Sequence, residues 1–188
     1  MNRGEGGEVS GEKRYPRAQA RVVANRLYWA LLKSCQRIEI AGSLRRKKAD
    51  VGDIELLCIP NPTENLFFGD TLDEAIKGLI ADGVLSYRPN IKGSIIYGPK
   101  NKLLVHVASG IPLDVFSTDA KNLGMAMVVR TGSADFNKRM MQRFIDLGMR
   151  GHAYGGITSR NGTEIECPDE ETVFRHLGWD YIEPERRA

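Results

Sequence analysis

AGSLRRKKADVGDIELLCIP, residues 41–60, decides the reading of this chain. Its second half, Asp53-Ile54-Glu55-Leu56-Leu57-Cys58-Ile59, is short and apolar, has acids at its start and is closed by Pro60. That pattern predicts a strand. Side chains alternate along a strand, so Asp53 and Glu55 project to one side. Two carboxylates on one face repel each other unless a cation lies between them. Magnesium, hard and oxygen-seeking, is the natural candidate, with manganese as the substitute. In the first half, Gly42 lets the backbone approach a ligand closely. A helix N-terminus after it would turn free N–H groups toward an anion. The Ser43 hydroxyl and the Arg46 guanidinium would complete a place for phosphate oxygens. Taken singly, the acid pair reads equally as a solvated strand face and the Gly-Ser turn as a loop with solvated arginines. Together they read as cradle, loop and metal strand.

Working outward, Ile111-Pro112-Leu113-Asp114-Val115-Phe116 is a second apolar strand, with one acid inside it. An unpaired buried carboxylate is costly, so Asp114 is expected to face the same site as Asp53 and Glu55. Three acids on neighbouring strands can hold two magnesium ions about 3.5–4 Å apart, the arrangement used for in-line phosphoryl transfer.

The rest of the chain supplies the frame. Ala20, Val23, Ala24, Leu27, Leu31 and Leu32 mark an amphipathic helix from about residue 18 to Ser34. A strand follows at 37–41. Residues 61–70 read as a loop and 71–81 as a helix with Thr71 as its N-cap. Strand-like runs occupy 84–88, 92–98, 102–108 and 111–117. Helices are expected over 119–130, 133–147 and 169–177, and residues 1–13 read as a disordered tail. This order predicts an α+β fold rather than a βαβ parallel one. With 188 residues, 41% hydrophobic and 27% charged, the composition is that of a globular protein. No apolar run approaches the roughly 18 residues of a membrane span, and the first residues lack a signal-peptide core, so a cytoplasmic monomer without a membrane partner is expected. Cys35, Cys58 and Cys167 form no CxxC pair and read as reduced, packed thiols. A net charge of +3 permits a polyanionic partner without demanding one.

Residues 41–60 resemble the nucleotidyltransferase core of the DNA polymerase beta superfamily, and specifically family X polymerases. The resemblance rests on Gly42-Ser43, Arg45-Arg46, Gly52-Asp53-Ile54-Glu55 and the later Asp114. It extends to Thr131-Gly132-Ser133-Ala134-Asp135-Phe136-Asn137, which begins 17 residues after Asp114, and to the closing segment 173–185. It implies a palm over 14–130, with a mixed or antiparallel sheet and helices on one face, and a small thumb-like subdomain over 131–188. It implies two bound magnesium ions, with Asp53 and Glu55 on both and Asp114 beside a primer 3′-hydroxyl. Ser43 and Arg46 would meet the outer phosphates of a nucleoside triphosphate held at Gly42, and Gly52 would let it pass. Gly132 and Ser133 would lie against sugar and base, and Asn137 toward the base edge. Lys138, Arg139 and Arg143 are the best-placed cations for DNA.

The chain departs from that family in three places. Glu55 stands where an aspartate is usual, Val129-Arg130 where aromatic residues help exclude ribonucleotides, and Met141 where an arginine touches the template. No lyase domain precedes the core, so no deoxyribose-phosphate lyase activity is expected. The expected function is transfer of a nucleoside monophosphate to a nucleic-acid 3′-hydroxyl, as in a small polymerase filling gapped or primed DNA in repair or replication. Its economy would suit a viral or phage protein in a host cytoplasm. Non-templated transfer to a nucleic-acid end, small molecule or protein is the alternative, and a non-catalytic binding module the third reading.

Overall fold

A computed structural model describes residues 13–62, 70–154 and 156–188. The expected tail, except Lys13, and most of the 61–70 loop lie outside the described residues.

The chain opens with β1 (Tyr15–Pro16) and α1 (Arg17–Leu31). Ala20, Val23, Ala24, Leu27 and Leu31 are the buried stripe of α1, as the periodicity requires. After a 3₁₀ turn come β2 (Cys35–Ile40), the short α2 (Gly42–Arg45), β3 (Asp50–Val51) and β4 (Ile54–Pro60). Next are α3 (Thr71–Ala81), β5 (Leu85–Tyr87), β6 (Asn101–His106) and β7 (Ile111–Ser117). The main sheet has the order β2-β4-β7-β6-β5. The β4–β7 pair is parallel and the other three are antiparallel, so the sheet is mixed. Alternation divides its faces. Ile54, Leu56, Cys58, Leu113 and Val115 pack with α1 and α3 in one core. Leu57, Ile59 and Phe116 emerge on the other face and meet α4 (Leu123–Thr131).

The C-terminal part is α5 (Ala134–Asp146), a sheet of β8 (Arg150–His152), β9 (Gly156–Thr158) and β10 (Glu164–Ile165), and α6 (Glu170–Leu177). Phe136, Met140 and Phe144, four residues apart on α5, join Val173, Phe174 and Leu177 of α6 in a separate core with Met125 and Val128 of α4. The helices α4 and α6 meet closely at Gly124, where a Cβ would lie 2.0 Å from the Asp169 carbonyl oxygen. Any larger residue there would force α6 away.

Three local expectations are corrected. Asp70, not Thr71, caps α3: its carboxylate accepts from the Asp73 N–H at 2.7 Å, while the Thr71 hydroxyl donates to the Ser34 carbonyl at 2.9 Å. No strand forms over 92–98. The Asn90 side chain accepts from the N–H groups of Lys92 and Ser94 and turns the chain, leaving only isolated bridges at Ile95 and Tyr97. Finally, α4 starts at Leu123 rather than 119, because Asp119 takes up the Asn122 N–H in a preceding turn.

One buried network ties the cradle segment to the C-terminal part. Glu170 accepts from both terminal nitrogens of Arg45 at 2.7 Å, from Arg187 at 2.5 Å and from the Tyr181 hydroxyl at 3.0 Å. Arg45 also donates to the Thr131 hydroxyl. Arg187 is fully buried, lies against the rings of Phe174 and Tyr181, and donates to the Ile182 carbonyl. Burial alone would raise the Glu170 pKa, but hydrogen bonds and charge from Arg45 and Arg187 outweigh it and hold the group down at about 2.

Arg187→Ala strips one partner from this buried set and is expected to cost about 3–5 kcal/mol in denaturant unfolding. Because the folded pKa of Glu170 is depressed, its contribution is present above the unfolded value and lost as pH falls from about 5 toward 2, about 3 kcal/mol in all. Glu170→Gln should flatten that acid loss. An unchanged acid limb in the variant would refute the assignment.

Candidate active site

Parallel pairing of β4 with β7 sets Glu55 directly opposite Asp114. Neighbouring strands lie about 4.7–4.9 Å apart, so the two carboxylates share one patch of the face opposite α1 and α3. Asp53 stands immediately before β4. Burial, then the charges of Asp53 and Asp114, push Glu55 up to about 8 against the opposing charges of Arg130 and Arg46. Burial likewise pushes Asp114 up to about 6, with Arg88 the main opposing charge and Asp53 adding to the rise. The structure thus brings together the three acids singled out from the sequence.

Two features shape this patch. Gly42 has φ +63°, and a Cβ there would lie 1.9 Å from Glu55 Oε2. The glycine is required by backbone conformation and also by the carboxylate lying under it. Arg88 reaches across β6, its Nε donating to the Leu104 carbonyl at 3.2 Å, and forms an ion pair with Asp114 Oδ1.

These side chains can be tested against the divalent ions that such a donor set implies. Among the described residues, no three of His, Cys, Asp and Glu enclose an ion as they stand. One oxygen of Asp114 is held by Arg88 and one of Glu55 lies against Gly42. The chemistry of the set nevertheless fits a hard cation. It consists of carboxylates on adjacent strands, and the raised proton affinities of two of them mark negative charge that protein groups do not fully compensate.

Around the acids, the other expected residues divide by what already engages them. The Ser43 hydroxyl is buried and makes no hydrogen bond among the described residues. The Arg46 guanidinium donates to the Thr131 carbonyl at the end of α4, and its buried Nε has no partner among the described residues. Gly52 is open, with only an Arg14 nitrogen 3.6 Å from where a Cβ would lie. Gly132 is tightly held: a Cβ would lie 2.6 Å from Asn137 Oδ1 and from Phe136. Ser133 caps α5, its hydroxyl accepting from the Phe136 N–H at 3.1 Å. Asn137 folds back to donate to the Val129 carbonyl at 2.8 Å, leaving its own buried carbonyl oxygen without a partner among the described residues. Among the expected DNA cations, Lys138 is exposed and pairs with Asp135. Arg139 is exposed and donates to the Ala188 carbonyl. Arg143 donates to the Leu177 carbonyl at the end of α6. Arg88, which pairs with Asp114, did not stand out in the sequence, and Arg130, whose charge acts on Glu55 and Asp114, was noted there only as a departure at the position before Thr131. Each is one arginine among many, and no local spacing marks either as belonging to the acid patch.

Two comparisons bear on the architecture. Residues 126–188 match a family model described as the DNA polymerase beta thumb. Across 94% of this chain and 77% of the other, the structure superimposes on polymerase beta of Leishmania infantum, solved as a ternary P/T complex, with a TM-score of 0.75 at 21% identity. The polymerase beta fold expected from residues 41–60 is therefore the fold of this chain, with the mixed sheet and C-terminal helices of that architecture.

Glu55→Gln should stabilise the metal-free protein at alkaline pH. The folded pKa of Glu55 lies above its unfolded value, so its contribution is complete below the unfolded value and lost as pH rises through about 8. Denaturant unfolding in chelator at pH 6 and pH 9 should show a falling stability for the native chain and a flatter one for the variant. Equal slopes would exclude a buried, uncompensated Glu55.

Proposed function

We propose that this chain is a nucleotidyltransferase that moves a nucleoside monophosphate from a nucleoside triphosphate to a 3′-hydroxyl of DNA. The observation that carries the reading is the opposed pair Glu55 and Asp114, with Asp53 just before β4. The polymerase beta fold supports it.

Asp53, Glu55 and Asp114 are the residues that would hold two magnesium ions, which supply positive charge to the triphosphate and acidify the attacking hydroxyl. Gly42, unable to carry a side chain above Glu55, keeps the approach to the carboxylates open. The Ser43 hydroxyl offers a donor that no described residue uses, and Arg46 adds a guanidinium to the outer phosphates. The 3′-oxygen attacks the α-phosphorus, a new P–O bond forms and the α–β bridging bond breaks. Pyrophosphate leaves with that electron pair. Asp114, beside the attacking oxygen on this reading, would take the hydroxyl proton. Gly132, in the turn before α5, and Asn137 would lie toward the sugar and base, and Lys138 and Arg139, exposed on α5, would contact the DNA backbone. The division into a palm over 14–130 and a thumb over 131–188 belongs to this proposal, as does template-directed use of gapped or primed DNA.

The test is primer extension with purified protein and Mg²⁺ on a one-nucleotide gap, an open primer–template and a bare single strand. Addition of the templated nucleotide, best in the gap, is expected. Addition regardless of template would make the chain a terminal-type transferase, and no extension with either Mg²⁺ or Mn²⁺ would remove the transfer reading. Asp53→Ala and Asp114→Ala should each lower the rate by on the order of a hundredfold or more, since several kcal/mol of charge stabilisation go with a metal ligand. Arg46→Ala should chiefly raise the apparent KM for the triphosphate.

A further inference from the structure

Arg130, the penultimate residue of α4, is held in an unusual way. Its guanidinium carbon lies 3.6 Å above the Phe116 ring and 4.7 Å from the centre of the Tyr154 ring. Phe116 is two residues beyond Asp114 on β7, so it shares the face of the carboxylates. Other arginines of this region spend their N–H groups. Arg45 and Arg187 give theirs to Glu170, Arg88 to Asp114, Arg46 to the Thr131 carbonyl and Arg143 to the Leu177 carbonyl. Arg130 gives none. Among the described residues it makes no hydrogen bond or ion pair, and its Nε is buried without a partner. A buried donor left unmatched costs about 1–3 kcal/mol and calls for an explanation.

Stacking supplies part of that explanation. Two aromatic faces fix the plane of the guanidinium and favour its charge, so the fork is oriented in advance and loses little freedom when it binds. Its charge reaches the acid patch, where it opposes the burial of both Glu55 and Asp114. The residues that follow it are Thr131-Gly132-Ser133, the tight turn into α5. A planar, fixed, unspent pair of donors beside a carboxylate patch matches an anion with two oxygens to accept, and tetrahedral phosphate is the group that guanidinium forks fit.

We infer that Arg130 is a phosphate-binding arm of this site, whose stacked guanidinium donates to a non-bridging phosphoryl oxygen. The identity of the phosphate's carrier, a nucleoside triphosphate or a DNA backbone, rests on the nucleotidyl-transfer reading. The donor geometry does not.

The experiment follows the arginine itself. The full chain, labelled with ¹⁵N-arginine and kept in chelator, is titrated with inorganic tripolyphosphate, with a deoxynucleoside triphosphate and with a single-stranded oligodeoxynucleotide. The Nε–Hε resonance of Arg130 is identified by its loss in Arg130→Lys. It should move on adding tripolyphosphate or oligonucleotide. Calorimetry with the responding ligand should show affinity falling about tenfold or more in Arg130→Gln, with part of the loss recovered in Arg130→Lys, which keeps the charge without the fork. A response to tripolyphosphate and the triphosphate alone assigns the arm to the nucleotide, and a response to the oligonucleotide alone assigns it to DNA. A resonance unmoved by all three, or equal affinities in Arg130→Gln and the native chain, overturns the inference. Because no turnover is needed, a silent Arg130 in protein that extends primers defeats this inference alone. A responding Arg130 in protein that extends nothing defeats the transfer reading alone.

Discussion

The parallel register of β4 on β7 is the constraint from which the rest of the site follows. It sets Glu55 opposite Asp114 and, on the alternate positions, Leu56 opposite Val115. A slip of one residue would turn the carboxylates into the core beneath α1 and α3 and bring the leucine and valine out. The apolar residues on the core face therefore lock the acids in place. Nothing in the acids themselves favours their meeting, since Asp53 and Asp114 raise the proton affinity of Glu55 and Asp53 raises that of Asp114. Hydrophobic burial on one face thus supports electrostatic repulsion on the other.

That repulsion has to be contained, and the surrounding residues show how. Gly42 leaves room for the Glu55 carboxylate where any side chain would displace it. Arg88 crosses β6 to reach Asp114, and Arg46 and Arg130 add opposing charge at Glu55. Arg45 and Arg46 extend the same segment outward, to Glu170 and to the Thr131 carbonyl. Consecutive residues after the Gly-Ser pair therefore fasten the cradle to α4 and α6. A shift of the C-terminal part would be transmitted to the cradle through these two side chains.

The readable part of this arrangement was the part encoded by short-range pattern. Period two grouped Asp53 and Glu55 at the start of an apolar strand, which forms as β4 from Ile54 onward, and the spacing of Ala20, Val23, Ala24, Leu27 and Leu31 marked the buried stripe of α1. Asp114 was legible because a lone acid in an apolar strand is costly to bury without a purpose. Whatever depends on distant pairing was not readable. Arg45 and Glu170 are 125 residues apart, and Arg88 and Asp114 meet only because β5, β6 and β7 are neighbours. The run 92–98 looked like a strand because Ile95 and Ile96 are apolar, yet an Asn90 side chain outcompetes the ladder there. Arg139 and Arg143 looked alike as helix cations. Only packing showed that one is exposed while the other donates to a carbonyl at the end of α6.

The charges around the patch suggest why its ligands would enter together. Asp53, Glu55 and Asp114 face Arg46, Arg88 and Arg130, whose charges oppose the upward shifts of Glu55 and Asp114 without cancelling them. Cations arriving alone would meet carboxylates that arginines partly offset, and would crowd those arginines with like charge. A polyphosphate arriving alone would find donors but also three carboxylates. A polyphosphate carrying its own divalent cations brings both signs at once. On the proposed reading, Asp114 would exchange Arg88 for metal while Arg88 and the unspent Arg130 turned to phosphate oxygens. The desolvation cost of each charge is offset only when its new partner arrives in the same event. If the proposed function holds, a site built from opposed acids and arginines would favour the complete, charge-compensated ligand over either of its parts.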